Sequence, residues 1–237
     1  MNDRPSFTQC SAYLEAHARA AAAREAKRAK VRLPFVTISR QMGAGAVALG
    51  GELTDWLQTH DQSADAPWTL FERNLMEMAL AEHHLPANLA AYLPEGRVSE
   101  IQSAIRELFG LHPPLATMFQ HMTQTVLGLA EMGRVVLVGR GACLITRHLD
   151  QGFHVRLVGS SERRLARVMQ SFKLSRKEAT AFLRKGETAR KAFVKKFFGT
   201  DLADPMYYHL VVNTDRMTMS EAARLIGAAV LARAPHA

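Results

Sequence analysis

Short apolar strands alternating with amphipathic helical segments predict a doubly wound α/β domain with a mostly parallel sheet. Three observations carry that expectation. The run Pro34-Phe35-Val36-Thr37-Ile38-Ser39 is apolar and β-branched, and it ends in the small-residue turn Gly43-Ala44-Gly45 before an amphipathic segment through Trp56-Leu57. Residues 134–139 form a near-continuous apolar run, the mark of a strand buried on both faces. Similar runs at 153–158 and 208–213 enclose a basic helical segment, 161–198.

In chain order, residues 1–32 are rich in Ala, Arg and Lys. Strong helix formers over a thin apolar stripe predict a loosely attached helical extension, solvated or packed in a homodimer. Asp3, Glu15 and Glu25 argue against a transit peptide. The main domain then spans 33–237. Its first strand is placed at 34–39, a helix at 45–59 and a short strand at Trp68-Thr69-Leu70-Phe71. Helical patterns follow at about 72–84, 97–109 and 115–132, the last two separated by Pro113-Pro114. A final helix is expected at about 219–233. No internal repeat interrupts this order.

Composition narrows the function classes. At 237 residues, with 48% hydrophobic and 22% charged side chains, the chain holds one substantial core. Cys10 and Cys143 are its two cysteines, which argues against a disulfide framework and fits a reducing cytoplasm. No apolar stretch approaches the ~18 residues of a membrane span, and the N-terminus lacks a signal-peptide core. The net charge of +8 is uneven: Ser161 to Asp201 carries twelve Lys/Arg against four Asp/Glu. Such a balance suits a polyanionic ligand. Without an aromatic stacking stripe or base-reading motif, nucleic acid is not the expected one.

Strand, glycine turn and helix together present backbone N–H groups and a helix N-terminus to phosphate. The candidates for phosphate binding are therefore Ser39, Gly43, Ala44, Gly45, Ala46 and Val47. The phosphate-loop pattern G-x-x-x-x-G-K-[ST] would put its Lys at Ala46, with Val47 and Ala48 after it. The loop is thus unusual or disarmed. Ligands on doubly wound sheets sit at the carboxyl ends of strands, a rule that gathers Ser39-Arg40, Glu72-Arg73 and Gly139-Arg140. Arg40, Arg140, Arg164, Arg167 and Arg190 are the charge suppliers, because guanidinium forks suit phosphate oxygens and several together replace a missing Lys. No compact Asp/His/Cys cluster has metal-ligand spacing, so no fixed metal is expected. The His83-His84 doublet faces two directions on a helix and reads as surface.

In this order the motifs resemble the cytidylate kinase-like family, a P-loop branch related to nucleoside-monophosphate kinases. The family's I-[ST]-R-E-[YF]-G-[SA]-G-G stands here as Ile38 to Ala46, and its D-R-[ED]-L as Glu72-Arg73-Asn74-Leu75. V-I-V-G-R-[CG]-[AG] appears as Val136 to Ala142, and E-x-R-x-x-R-[VI]-M as Glu162 to Met169. The lid pattern D-x-x-R-x-x-[YF] is approximated by Glu187 to Phe193. G-x-D-x-x-D-P and Y-[DH]-L-x-[LV]-N-T close the series at Gly199–Pro205 and Tyr208–Thr214.

The resemblance covers about 34–233. It implies a three-layer P-loop NTPase fold with a helical acceptor-side insertion at about 72–132 and a basic lid at about 161–198. It also implies an ATP- and Mg²⁺-dependent phosphotransferase acting on CMP or another small phosphate acceptor. Glu72, Arg73, Gly139 and Arg140 would bind the acceptor, Arg140 holding its phosphate, and the lid arginines would close over both phosphates. Relatives usually carry a small residue and then Arg-Glu where this chain has Ala46-Val47-Ala48, and an acidic residue at Gln41. Two readings follow: an enzyme, or a catalytically weak or inactive nucleotide-binding pseudo-kinase with a regulatory or interaction role.

Overall fold

The computed structural model describes residues 32–62, 66–72 and 115–233. The N-terminal extension up to residue 31, the predicted helices at 72–84 and 97–109, His83-His84 and Arg73 lie outside the described residues. The elements are β1 (Phe35–Arg40), α1 (Ala46–His60), β2 (Thr69–Phe71), α2 (Leu115–Met132), β3 (Val135–Val138) and the short α3 (Ala142–Ile145). They continue with β4 (Gly152–Val158), α4 (Ser161–Phe172), α5 (Arg176–Phe198), a 3₁₀ turn (Pro205–Tyr207), β5 (Leu210–Asn213) and α6 (Met219–Arg233).

All neighbouring strands pair in parallel, in the order β2-β3-β1-β4-β5. β1 is central, with Ile38 opposite Val138 on one side and Val155 on the other. The chain leaves β1 to build β2 and β3 on one flank and returns to build β4 and β5 on the other. The carboxyl end of β1 is therefore the switch point at which such sheets open a crevice.

Alternation along each strand divides the core into two layers of side chains. Phe35, Phe71, Val135 and Leu137 pack with Met122 and Val126 of α2. Val36, Ile38, Val136 and Val155 pack with Leu53 of α1 and Ile226 of α6 on the opposite face. The hydrophobic burial of these two faces is the main favourable contribution to folding. Helices α1 and α6 approach closely because Gly227 leaves room for Trp56: a Cβ there would lie 2.1 Å from the indole Cε3.

The expected basic segment 161–198 is two helices. Lys173 ends α4 in the left-handed region (φ 54°), and Ser175 starts α5 with a capping box, exchanging side-chain and backbone hydrogen bonds with Glu178. Ser-x-x-Glu is a helix-start signal, so the break is physically legible. Gly199 at φ 68° stops α5.

Between β1 and β4, Thr37 Oγ1 and His154 Nδ1 are 2.8 Å apart, and the two residues are register partners. His154 N–H donates to Nδ1 of His209 at 3.0 Å. Burial, then the charges of His209 and Arg233, lower the His154 pKa from 6.5 to about 4. Between those two values the unfolded chain takes a proton that the native ring refuses. Stability is therefore expected to fall as the pH drops from 6.5 to about 4, by on the order of 2–3 kcal/mol, and to gain no further slope from this ring below that. Urea unfolding at pH 7 and pH 4 measures it. His154→Asn should flatten most of the difference, and an unchanged difference would remove His154 as the cause.

Candidate functional site

The glycine turn is built by two left-handed residues, Gly43 (φ 78°) and Gly45 (φ 86°). The loop closes on itself through Ala44 N–H to Gln41 C=O at 3.1 Å, and Gln41 N–H bonds Leu157 C=O of β4 at 3.0 Å. Helix α1 starts immediately after. Its first α-helical bond runs from Leu49 N–H to Gly45 C=O at 3.0 Å, leaving the N–H groups of Ala46, Val47 and Ala48 ahead of it. Helices α4, α5 and α6 all begin under a side-chain cap, from Ser160, Ser175 and Thr218. Helix α1 begins on Gly45 with no side-chain cap and no acid in its first turn. The positive end of its dipole therefore faces the loop unneutralised.

Two of the predicted arginines lie at the ends of adjacent strands. Arg40 closes β1, and its Nη1 sits where a Cβ on Gly139 would be, 1.8 Å from that ideal position. Arg140 follows β3 between Gly139 (φ 86°) and Gly141 (φ 70°) and is itself left-handed at φ 56°. Three successive left-handed residues, one bearing a Cβ, are a costly backbone of the kind that clusters at functional sites. Gly141 also admits the Phe198 ring, whose Cε2 would be 2.7 Å from a Cβ. The end of α5 thus reaches the β3 turn.

Arg164 and Arg167 come to the loop from α4. Arg164 donates from Nε to Gly159 C=O (3.0 Å) and from Nη1 to Met42 C=O (3.0 Å). Arg167 donates to the Thr214 hydroxyl at 2.9 Å and carbonyl at 2.6 Å. The Arg167 Cδ would lie 4.0 Å from a Cβ on Gly45, and the Met219 Cε 2.5 Å. Arg190 is half-buried on α5, and Glu72 is half-buried just after β2.

Ser39 stands one residue before Arg40 in β1, with its hydroxyl turned towards α3. It is 5% exposed, and its hydroxyl is 3.5 Å from Cys143 Sγ. Tyr208 completes that cluster, donating to Leu202 C=O at 2.8 Å and accepting from Arg156 Nη1 at 3.5 Å. Burial pushes the Tyr208 phenol up to about 12 and the Cys143 thiol above its ordinary value. Both therefore stay protonated at neutral pH. Sequence reasoning missed this cluster, since register opposition of Ser39 and Arg156 is a tertiary fact. It also missed Glu187 as a partner of the loop, although the lid pattern contained that residue.

Among the described residues no group of three or more His, Cys, Asp or Glu side chains could hold a metal ion. Among the same residues no helix is long and apolar enough to cross a membrane.

Five parallel strands in this order, with a glycine turn between the central strand and an uncapped helix, make an α/β P-loop fold. The profile of the cytidylate kinase-like family matches residues 35–216, most of the chain. The chain belongs to that family. No curated protein matches it. Among solved structures, an uncharacterized protein from Eubacterium ventriosum is similar, with TM-score 0.57, 15% identity, and coverage of 84% of this chain and 99% of that one. Shikimate kinase from Bacteroides thetaiotaomicron has TM-score 0.49 and 14% identity, over 84% of this chain and 98% of its own. Shikimate kinase from Acinetobacter baumannii, in complex with shikimate, has TM-score 0.46 and 16% identity, over 87% and 97%.

Proposed function

We propose that the chain is an ATP-dependent phosphotransferase acting on a small phosphate acceptor such as CMP or another nucleoside monophosphate, in the cytoplasm. The observation that carries this reading is the uncapped start of α1 behind Gly43 and Gly45, with Arg40 and Arg140 on the adjoining strand ends. The N–H groups from Gly45 to Val47 bind the donor phosphates by hydrogen bonds and dipole. Arg167, beside Gly45, brings a fixed positive charge to a loop that has Ala46 where a Lys would stand. Arg140 holds the acceptor phosphate, flanked by Gly139, with Glu72 and Arg73 on the acceptor side. Arg164 and Arg190 belong to the lid. An acceptor oxygen attacks the terminal phosphorus, the bond to the bridging oxygen breaks, and ADP leaves with that electron pair. The protein's part is positioning and charge neutralisation.

Mg²⁺ enters this reading through the family. Ala46, Val47 and Ala48 offer it no side-chain oxygen ligand, and the Ser39 hydroxyl is directed to Cys143. The loop therefore does not fit a protein-held magnesium. The same three residues favour a second reading, a nucleotide-binding pseudo-kinase with a regulatory or interaction role.

Calorimetric titration with ATP and Mg²⁺ tests the binding. Micromolar affinity in the parent, weakened at least about tenfold in Arg40→Ala, is the expected result, because a charge-assisted contact to phosphate contributes on the order of 1.5–3 kcal/mol. No detectable binding to folded protein would defeat both nucleotide readings. Binding without product across a panel of nucleoside monophosphates would favour the pseudo-kinase.

A further inference from the structure

The peptide groups on both sides of Met42, in the middle of the glycine loop, are held by the two lid helices. Met42 N–H donates to Glu187 Oε1 of α5 at 2.6 Å. Met42 C=O accepts from Arg164 Nη1 of α4 at 3.0 Å, and that same nitrogen is 3.2 Å from Glu187 Oε1. A carboxylate and a guanidinium paired with each other thus clamp one residue from its donor and its acceptor side. The pair is sheltered, with 13% of the Arg164 and 31% of the Glu187 side chain exposed.

The surrounding shape fits the clamp. Gly186 has no side chain where Met42 packs: a Cβ would lie 3.1 Å from Met42 Sδ. Gly43 leaves equal room for α4, since its Cβ would be 2.8 Å from Arg164 C=O. Gln41 adds a third tie, its Oε1 accepting from Gly159 N–H at 2.9 Å. Its side chain joins the loop to the β4–α4 junction.

We propose that Glu187 is a positioning residue: with Arg164 it latches helices α4 and α5 onto the glycine loop. The latch fixes the Met42 peptide from both sides. Arg190 lies three residues further along α5 on the same side of the helix. The consequence for catalysis rests on the phosphotransferase reading; the latch itself does not.

Amide hydrogen exchange of the nucleotide-free chain tests it. Glu187→Ala is expected to speed exchange at the Met42 amide at least about tenfold, with Val36, Thr37 and Val136 in β1 and β3 unchanged. Glu187→Gln keeps an oxygen acceptor in place, so Met42 should stay within about threefold of the parent. Should Glu187→Ala fail to fold, Arg164→Gln attacks the same peptide from its carbonyl side, and the same rise at Met42 is expected. Unchanged Met42 exchange in the folded variant overturns the latch. An equal rise at Met42 and in the two strands, in Glu187→Ala and Glu187→Gln alike, also overturns it, because that is general destabilisation. Failure of the parent to bind ATP would defeat the phosphotransferase reading and leave the exchange result standing.

Discussion

Asp61→Ala is expected to lower folding stability by about 3–5 kcal/mol, the cost of removing one member of a buried ion pair. Asp61 Oδ2 accepts from Arg134 Nε at 3.3 Å and from Trp68 Nε1 at 2.9 Å. The Arg134 side chain is 1% exposed and that of Asp61 7%. Arg134 cannot readily swing out to water. Its backbone is left-handed at φ 54°, its N–H donates to Pro34 C=O at 2.7 Å, and its C=O accepts from Thr69 N–H at 3.0 Å. The guanidinium is pinned among the starts of β1, β2 and β3. Denaturant unfolding at neutral pH measures the loss. Asp61→Asn, which keeps an acceptor but no charge, should fall between the parent and Asp61→Ala. A loss under about 1 kcal/mol in Asp61→Ala would mean that water reaches the guanidinium freely. The pair sits at the amino ends of the strands, so nucleotide affinity of the folded fraction should not change.

Gly43→Ala should cost about 2–5 kcal/mol, and here the loss falls on the site itself. A Cβ at φ 78° costs about 1–2 kcal/mol on its own. It would also lie 2.8 Å from the Arg164 carbonyl and 3.1 Å from Val168 Cγ2. A helix backbone cannot yield as a side-chain tip can, so α4 must move off the loop, at a further ~1–3 kcal/mol. Gly51→Ala is the matched control. It lies in α1 with nothing within 4 Å of its Cβ position, and is expected to gain about 0.5–1 kcal/mol. Thermal or urea unfolding of both variants decides. Equal effects of either sign would mean that the contact with α4 does not constrain the loop.

Much of this architecture was legible in the residues, and the reasons differ by element. Strands such as Val135–Val138 announce themselves because both faces of a central parallel strand are buried. Helices α2 and α6 lie where their apolar spacing and the flanking turn residues placed them approximately. The glycine turn was legible because only a few residue types tolerate its backbone. The break at Lys173 was less visible, since charge and helix propensity run unbroken across it and the Ser175–Glu178 box is a local detail. The site was legible as a set of residues and not as a set of bonds. Arg164 and Arg167 were chosen for their charge. Their hydrogen bonds to Met42, Gly159 and Thr214 depend on where α4 docks. That docking is fixed by Gly43 and Gly186, whose missing side chains carry no chemical label.

The central place of β1 also bears on how the chain reaches its native state. Its partners arrive late: Thr37 is 117 residues from His154, with which it shares a hydrogen bond. Neither edge of β1 can pair until Val135–Val138 and then Gly152–Val158 have been made. Such distant pairings incur loop-closure entropy before any contact offsets it, which places this chain among slow folders. During synthesis β1, made before its neighbours in the sheet, waits longest with both edges open. A nascent chain ending before β4 would be the species most prone to aggregate.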